Sequence, residues 1–205
     1  MINIGILSNS IKDMSNFEYR FFYWAMHQDW IKLKVLFLDG RVIQPKKKLL
    51  NKIFDINIIS KLIFMTINKV DDYFINYDKF NENNKKEVIN WLTKIEHKKI
   101  YPLNKLGNID YFNNESSNEV KAYNLDLIIR FSFNIISGEI LNASKNGIWS
   151  FHHADNDINR GGPAGFWEVF LKQTNTGVTL QRLSNNLDGG DIIDKAFYVT
   201  QSTFK

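Results

Sequence analysis

Residues 125–153, LDLIIRFSFNIISGEILNASKNGIWSFHH, contain two apolar runs of strand length separated by a turn-rich segment. Leu125–Phe133 is almost continuously apolar, as a strand covered on both faces of a parallel sheet must be. Gly147-Ile148-Trp149-Ser150-Phe151 is a second such run, and it delivers His152 and His153 at its C-terminal end. Between them Ser137–Lys145 reads as a short helix, stopped by Asn146-Gly147. Strand, helix and strand in this order predict a parallel crossover unit.

The same alternation extends outward. Downstream, Pro163 opens a helix to about Lys172, and Gly177–Leu183 is the next strand. The loop Asn185-Asn186-Leu187-Asp188-Gly189-Gly190-Asp191 then leads into a final strand ending near Thr200. Upstream, Ile2–Leu7 and Leu33–Leu38 read as strands around a helix from about Ser15 to Trp30, with Phe17, Phe21, Phe22, Trp24 and Ala25 at helical spacing. The middle, roughly residues 41–118, is poorly assigned. Helices are expected near Lys48–Ile67 and over Asn84–His97, and Asn113–Asn118 reads as a loop leading into a helix. The expected fold class is α/β: a Rossmann-like, mostly parallel sheet flanked by helices, forming one domain over residues 1–205.

Composition narrows the function. An apolar share of 44% supports a real core, and the absence of Cys excludes a disulfide framework, a thiolate nucleophile and cysteine-ligated metal. The formal net charge is +4, but only five of the 26 cationic residues are Arg, and the Lys are scattered apart from Lys46-Lys47-Lys48. Nucleic-acid binders concentrate such charge on one face, so no nucleic-acid partner is expected. The apolar stretch near Ile56–Ile67 is too short and too interrupted to span a bilayer. The opening residues lack the basic start and cleavage site of a signal peptide. A cytoplasmic protein without a membrane partner is the expectation.

Of four histidines, His27 and His97 fall on predicted amphipathic helices, whereas His152 and His153 follow a strand directly. Imidazole accepts and returns a proton near neutrality, and a carboxylate bonded to it fixes its orientation. Asp188 or Asp191 can supply that carboxylate, and Gly189 and Gly190 let the backbone turn tightly beside a ligand. Strand alternation allows one histidine to face a cleft while its neighbour faces elsewhere. A divalent metal held by His152, His153, Asp155 and Asp157 is the competing constellation, and it implies a metal-assisted hydrolase.

Several ordered motifs resemble one family. Ser150-Phe151-His152, Arg160-Gly161, Thr176-Gly177-Val178-Thr179 and Leu187-Asp188-Gly189-Gly190-Asp191 match, in order and spacing, the catalytic core of the folate-dependent formyltransferases, the group that includes methionyl-tRNA formyltransferase and glycinamide ribonucleotide transformylase. The clear resemblance covers about residues 125–200, and 36 positions separate His152 from Asp188. It implies 10-formyltetrahydrofolate as co-substrate and no metal. His152 would be the proton carrier and Asp188 its charge partner. Ser150 would donate to the formyl oxygen, in the position where the family has Asn. Phe133, Asn134, Ile135 and Asp191 would lie on the folate side, and His153, Arg160 and Trp167 on the acceptor side.

The chain stops soon after the last strand of this core, and Arg is scarce, so a tRNA acceptor is disfavoured. Residues 153–155 and 162–167 depart from the tRNA and purine enzymes. The expected acceptor is therefore the amine of a nucleotide-linked amino sugar, and a homodimer is compatible with that reading. Other amine acceptors, formyl-folate hydrolysis and a folate-binding module without turnover are the alternatives.

Overall fold

The computed structural model describes residues 1–11, 13–41, 80–105, 109–158, 165–186 and 189–200. Its main sheet is α/β and mostly parallel, in the order β10-β9-β8-β6-β1-β2-β3. The strands are β1 (Ile2–Ser8), β2 (Ile31–Asp39), β3 (Glu96–Ile100), β6 (Leu127–Arg130), β8 (Ile148–His152), β9 (Asn175–Arg182) and β10 (Asp191–Val199). Among these pairings, β8–β9 and β9–β10 are antiparallel. A smaller sheet, β4-β5-β7, is formed by Leu103–Lys105, Ile109–Phe112 and Ile135–Gly138.

Alternation along the strands divides the core between the two faces of the main sheet. Ile128 joins Leu7, Val35, Phe37, Phe112 and Ile148 on one face. Ile129 joins Ile4, Ile6, Phe22, Leu36 and Leu92 on the other. Opposite Ile4 and Gly5, β2 contributes Leu33 and Val35, so Lys34 is an extra residue in the ladder. This bulge explains why Leu33 and Val35, two positions apart, serve opposite faces.

Helix α1 (Asn16–Met26) starts at a capping box, with Ser15 Oγ accepting from the Glu18 amide at 3.2 Å and Glu18 Oε2 accepting from the Ser15 amide at 2.7 Å. It ends at Met26 rather than near Trp30, because the Trp30 carbonyl already accepts from the Ile2 amide at 2.7 Å, at the start of the sheet. Helix α2 (Glu82–Leu92) is shorter than expected. Glu96–Ile100 forms β3 instead, and His97 lies on that strand. Among the described strands β3 pairs only with β2, so a charged strand is tolerated there. The polar segment after Asn113 is itself helix α3 (Asn114–Lys121), nucleated by Asn113 Oδ1 accepting from the Ser116 amide at 2.9 Å. The expected helix over Ser137–Lys145 is divided into β7 and a 3₁₀ turn, Glu139–Asn142. The helix expected near Lys48–Ile67 lies outside the described residues. Among the described residues, no helix is long and apolar enough to cross a membrane.

One buried carboxylate joins the two sheets. Asp110 of β5 has 0% side-chain exposure and accepts from Arg41 Nη1 at 2.6 Å and Nη2 at 3.1 Å, just beyond β2. It also accepts from the Asn134 amide at 2.9 Å and from its side-chain Nδ2 at 3.1 Å. Burial pushes the Asp110 carboxyl upward, but the bonds from Arg41 and Asn134 outweigh it and hold the pKa below its ordinary 3.8. Its contribution to stability is therefore complete above that value and fades as pH falls through the lower folded-state value. Arg41→Met should cost roughly 3 kcal/mol at pH 7 by urea denaturation, because it leaves a buried charge unpaired. On acidification the variant should regain part of that loss as the orphaned carboxyl protonates, whereas the native chain only loses stability below about pH 4. Parallel pH–stability curves would contradict this.

Candidate active site

The chain runs outward from β1 to β2 and β3, then returns to place β6 and β8 on the other side of β1. Ligands in open α/β sheets bind beyond the carboxyl ends of strands at such a reversal. A cavity of about 290 Å³ lies there, walled by Arg130 at the end of β6 and by Ser150 and His152 at the end of β8. Gln181 of β9 and the turn residues Asn186 and Gly190 close one side, and Ile109 and Ile136 of the smaller sheet close the other.

Ser150 and His152 are two residues apart, so the pleat brings both to this cavity. Ser150 is only 2% exposed, and its Oγ accepts from Arg130 Nη1 at 2.9 Å. His152 Nε2 is buried and has no hydrogen-bond partner among the described residues. Arg130 Nη2 reaches the carbonyls of Phe133 at 2.9 Å and Asn134 at 3.0 Å. Burial lowers the Arg130 pKa, although the Asp110 charge opposes the shift.

His153 takes the other side of the strand. It lines a second cavity of about 430 Å³ with Phe17, Phe151, Val178, Leu180 and Tyr198. Desolvation, then the charges of His152 and Arg130, lower the His153 pKa from its ordinary 6.5. The loop after β8 is held by Thr179 Oγ1 donating to the Ala154 carbonyl at 2.9 Å and by Asn156 Nδ2 donating to Gln181 Oε1 at 2.8 Å. Gly177 passes so close that a Cβ there would stand 2.8 Å from the Asp155 backbone nitrogen. Gly190 is equally constrained, since a Cβ would collide with the Arg182 carbonyl.

The remaining expected site residues are placed as follows. Ile135 lines the first cavity. Phe133 turns inward at a positive φ of 73° and is buried against Phe112, so it presents its carbonyl rather than its ring. Asn134 is bonded to Asp110. Asp191 is exposed at the first position of β10 and does not line the cavity. Trp167 is 38% exposed on the short helix α4 (Phe166–Phe170). Asp188 and Arg160 lie outside the described residues, although Asn186 and Gly190, on either side of Asp188 in the chain, wall the same cavity as His152. Of the competing metal constellation, Asp155 and Asp157 both accept from Lys195 at 2.5 Å. No group of three or more potential metal ligands occurs among the described residues.

Structural comparison finds the same architecture in solved proteins. Glycinamide ribonucleotide transformylase 1 from Symbiobacterium toebii aligns with a TM-score of 0.54 and 15% identity, over 97% of this chain and 74% of its own. Phosphoribosylglycinamide formyltransferase from Anaplasma phagocytophilum aligns with a TM-score of 0.57 and 14% identity, over 99% and 75%. A formyltetrahydrofolate deformylase from Pseudomonas syringae pv. tomato aligns with a TM-score of 0.55 and 9% identity, over 97% and 51%. The fold is the formyltransferase fold. No protein-family model matches the sequence, and no curated protein does. At identities this low, what is shared with these formyltransferase-fold proteins is the architecture.

Arg130 and Gln181 are cavity residues that sequence reasoning did not select. Their signals are an arginine ending an otherwise apolar strand and buried polar residues, Thr179 and Gln181, at alternate positions of β9. A proton-NMR titration should place the His153 midpoint below 6.5, assigned by its loss in His153→Gln. Arg130→Gln should raise that midpoint by removing one positive charge that lowers it, and an unmoved midpoint would show that the Arg130 charge does not act on His153.

Proposed function

We propose that the chain transfers the formyl group of 10-formyltetrahydrofolate to an amine, that of a nucleotide-linked amino sugar. The observation that carries this reading is the convergence of His152, Ser150, Asn186 and Gly190 on one cavity at the switch point of a formyltransferase fold. The neutral amine attacks the formyl carbon, and the carbonyl π electrons move to oxygen as the tetrahedral intermediate forms. His152 takes the proton from the attacking nitrogen and returns it to the folate nitrogen as the old carbon–nitrogen bond breaks. Asp188 is the charge partner of the imidazolium, and Ser150 is a donor to the oxygen. Ile135 and the backbone of residues 133–134 border the folate side. Asp191, exposed at the start of β10 and outside the lining of the cavity, is assigned to the same side on the resemblance alone. His153, Arg160 and Trp167 are assigned to the acceptor.

The aromatic lining of the second cavity, with Phe17, Phe151 and Tyr198, supports an acceptor with flat or ring-shaped apolar faces. The pairing of Asp155 and Asp157 with Lys195 weighs against the metal-hydrolase alternative. Water in place of the amine would make the chain a deformylase, a reading favoured by the likeness to the Pseudomonas syringae protein.

The test incubates the chain with 10-formyltetrahydrofolate and a panel of amino-sugar nucleotides, following mass gain on the acceptor and formate release. Formylated acceptor, formed at the same rate in excess chelator, is the expected result, whereas formate release alone would favour the deformylase. His152→Ala and Asp188→Ala should each lower kcat about 100-fold or more with donor binding nearly unchanged. Normal turnover in both variants would overturn the site assignment.

A further inference from the structure

Arg130 is the one formally charged residue among the described residues walling the first cavity. A guanidinium carries five N–H donors. Three of the Arg130 donors meet neutral acceptors on two separate parts of the chain: Ser150 Oγ at 2.9 Å, the Phe133 carbonyl at 2.9 Å and the Asn134 carbonyl at 3.0 Å. That leaves the Nε–H, which is buried, and one Nη1–H without an acceptor among the described residues. No carboxylate there lies within ion-pair distance either. The Asp110 carboxylate, whose charge acts on Arg130 at longer range, is taken up by Arg41 and Asn134. Desolvating a cation without a counter-charge is expensive, and a ligand that brings negative charge into the cavity repays that cost. The guanidinium is also held in place before any ligand arrives, so little reorganisation is needed when charge develops beside it.

We propose that Arg130 is a further catalytic residue of the formyl transfer, its fixed guanidinium holding the formyl oxygen through the remaining Nη1–H as that oxygen becomes an oxyanion. This rests on the formyl-folate reading above. Because Ser150 Oγ accepts from Arg130, the serine proton is left to point at the same oxygen, and the pair acts as one composite donor. The charge balance is local. Negative charge moves from the carbonyl π bond onto oxygen beside the guanidinium, and returns to re-form the carbonyl as the bond to the folate nitrogen breaks. Arg130 itself gains and loses no proton.

The experiment uses the full chain with 10-formyltetrahydrofolate, alone and with the acceptor panel, and measures kcat and the donor KM separately. Arg130→Gln keeps hydrogen-bonding capacity and removes the charge; it is expected to lower kcat about 100-fold while the donor KM stays nearly unchanged. Arg130→Ala is expected to regain rate when methylguanidinium is added, a response that a purely structural role would not give. Where thermal melting shows that Arg130→Gln is unfolded, Arg130→Lys replaces it. A kcat lowered about tenfold supports the fixed guanidinium, because lysine keeps the charge but not the geometry. Native kcat in the variant, or a loss confined to KM, overturns the assignment of Arg130 and leaves the formyl-folate reading standing. A native chain that neither binds nor consumes the donor sinks that reading itself, and the role of Arg130 with it.

Discussion

A carboxylate without solvent fixes the geometry of the whole cavity. Asp110 sits on the smaller sheet, and its four hydrogen bonds come from two places far apart in sequence, Arg41 beyond β2 and Asn134 in the loop after β6. The charge is tolerable only while all of them are made. Asn134 is thereby pinned, and its carbonyl and that of Phe133 face Arg130. Arg130 in turn meets Ser150. A continuous path of hydrogen bonds thus runs from Arg41, near the surface, to the floor of the cavity. Side chains placed this way are stiff, because each is held by a neighbour that is itself held, and a reaction that depends on ångström-level placement needs such support.

The opposite wall is set by close packing instead. Gly177 lets the strand pass directly under Asp155, and Lys195 of β10 ties down both Asp155 and Asp157. Asn156 fixes Gln181, which pairs in register with Ser150 across β8 and β9. The loop that carries His153 is therefore anchored from beneath and from the edge strand. His152 and His153 then diverge, one to each cavity, with no rearrangement of the backbone.

What could be read from the residues follows from where each element sits. The strands β1, β2, β6 and β8 lie inside the sheet, and burial on both faces wrote itself into their apolar runs. β3 was invisible because an edge strand does not need such a run, and Glu96–Lys99 looks like a solvated helix end. Helix α3 was hidden by its asparagines and serines, residues of weak helical propensity, and only the Asn113 cap and the buried Val120 reveal it. The site was legible where motif and strand end coincide, at Ser150 and His152. Arg130 was not, because an arginine closing a strand looks the same whether it faces solvent or a cavity, and only the fold distinguishes the two. The meeting of His152 with Asp188 is an expectation whose second partner lies outside the described residues.

Charge also separates the competing chemistries. A catalytic metal needs a cavity that offers it anionic or neutral donors, and the two aspartates that could join His152 and His153 already share one ammonium, that of Lys195. Among its described residues, the cavity instead presents a guanidinium, a serine hydroxyl and an imidazole. Such a set repels a cation and favours a group that acquires negative charge. Acyl transfer from a formyl donor creates that charge on one oxygen, transiently, and returns it within the same turnover. A pocket whose described lining includes a guanidinium and no carboxylate suits a charge that appears and then leaves. A permanently bound anion would quench Arg130 for good, whereas the formyl oxygen needs it only at the top of the barrier.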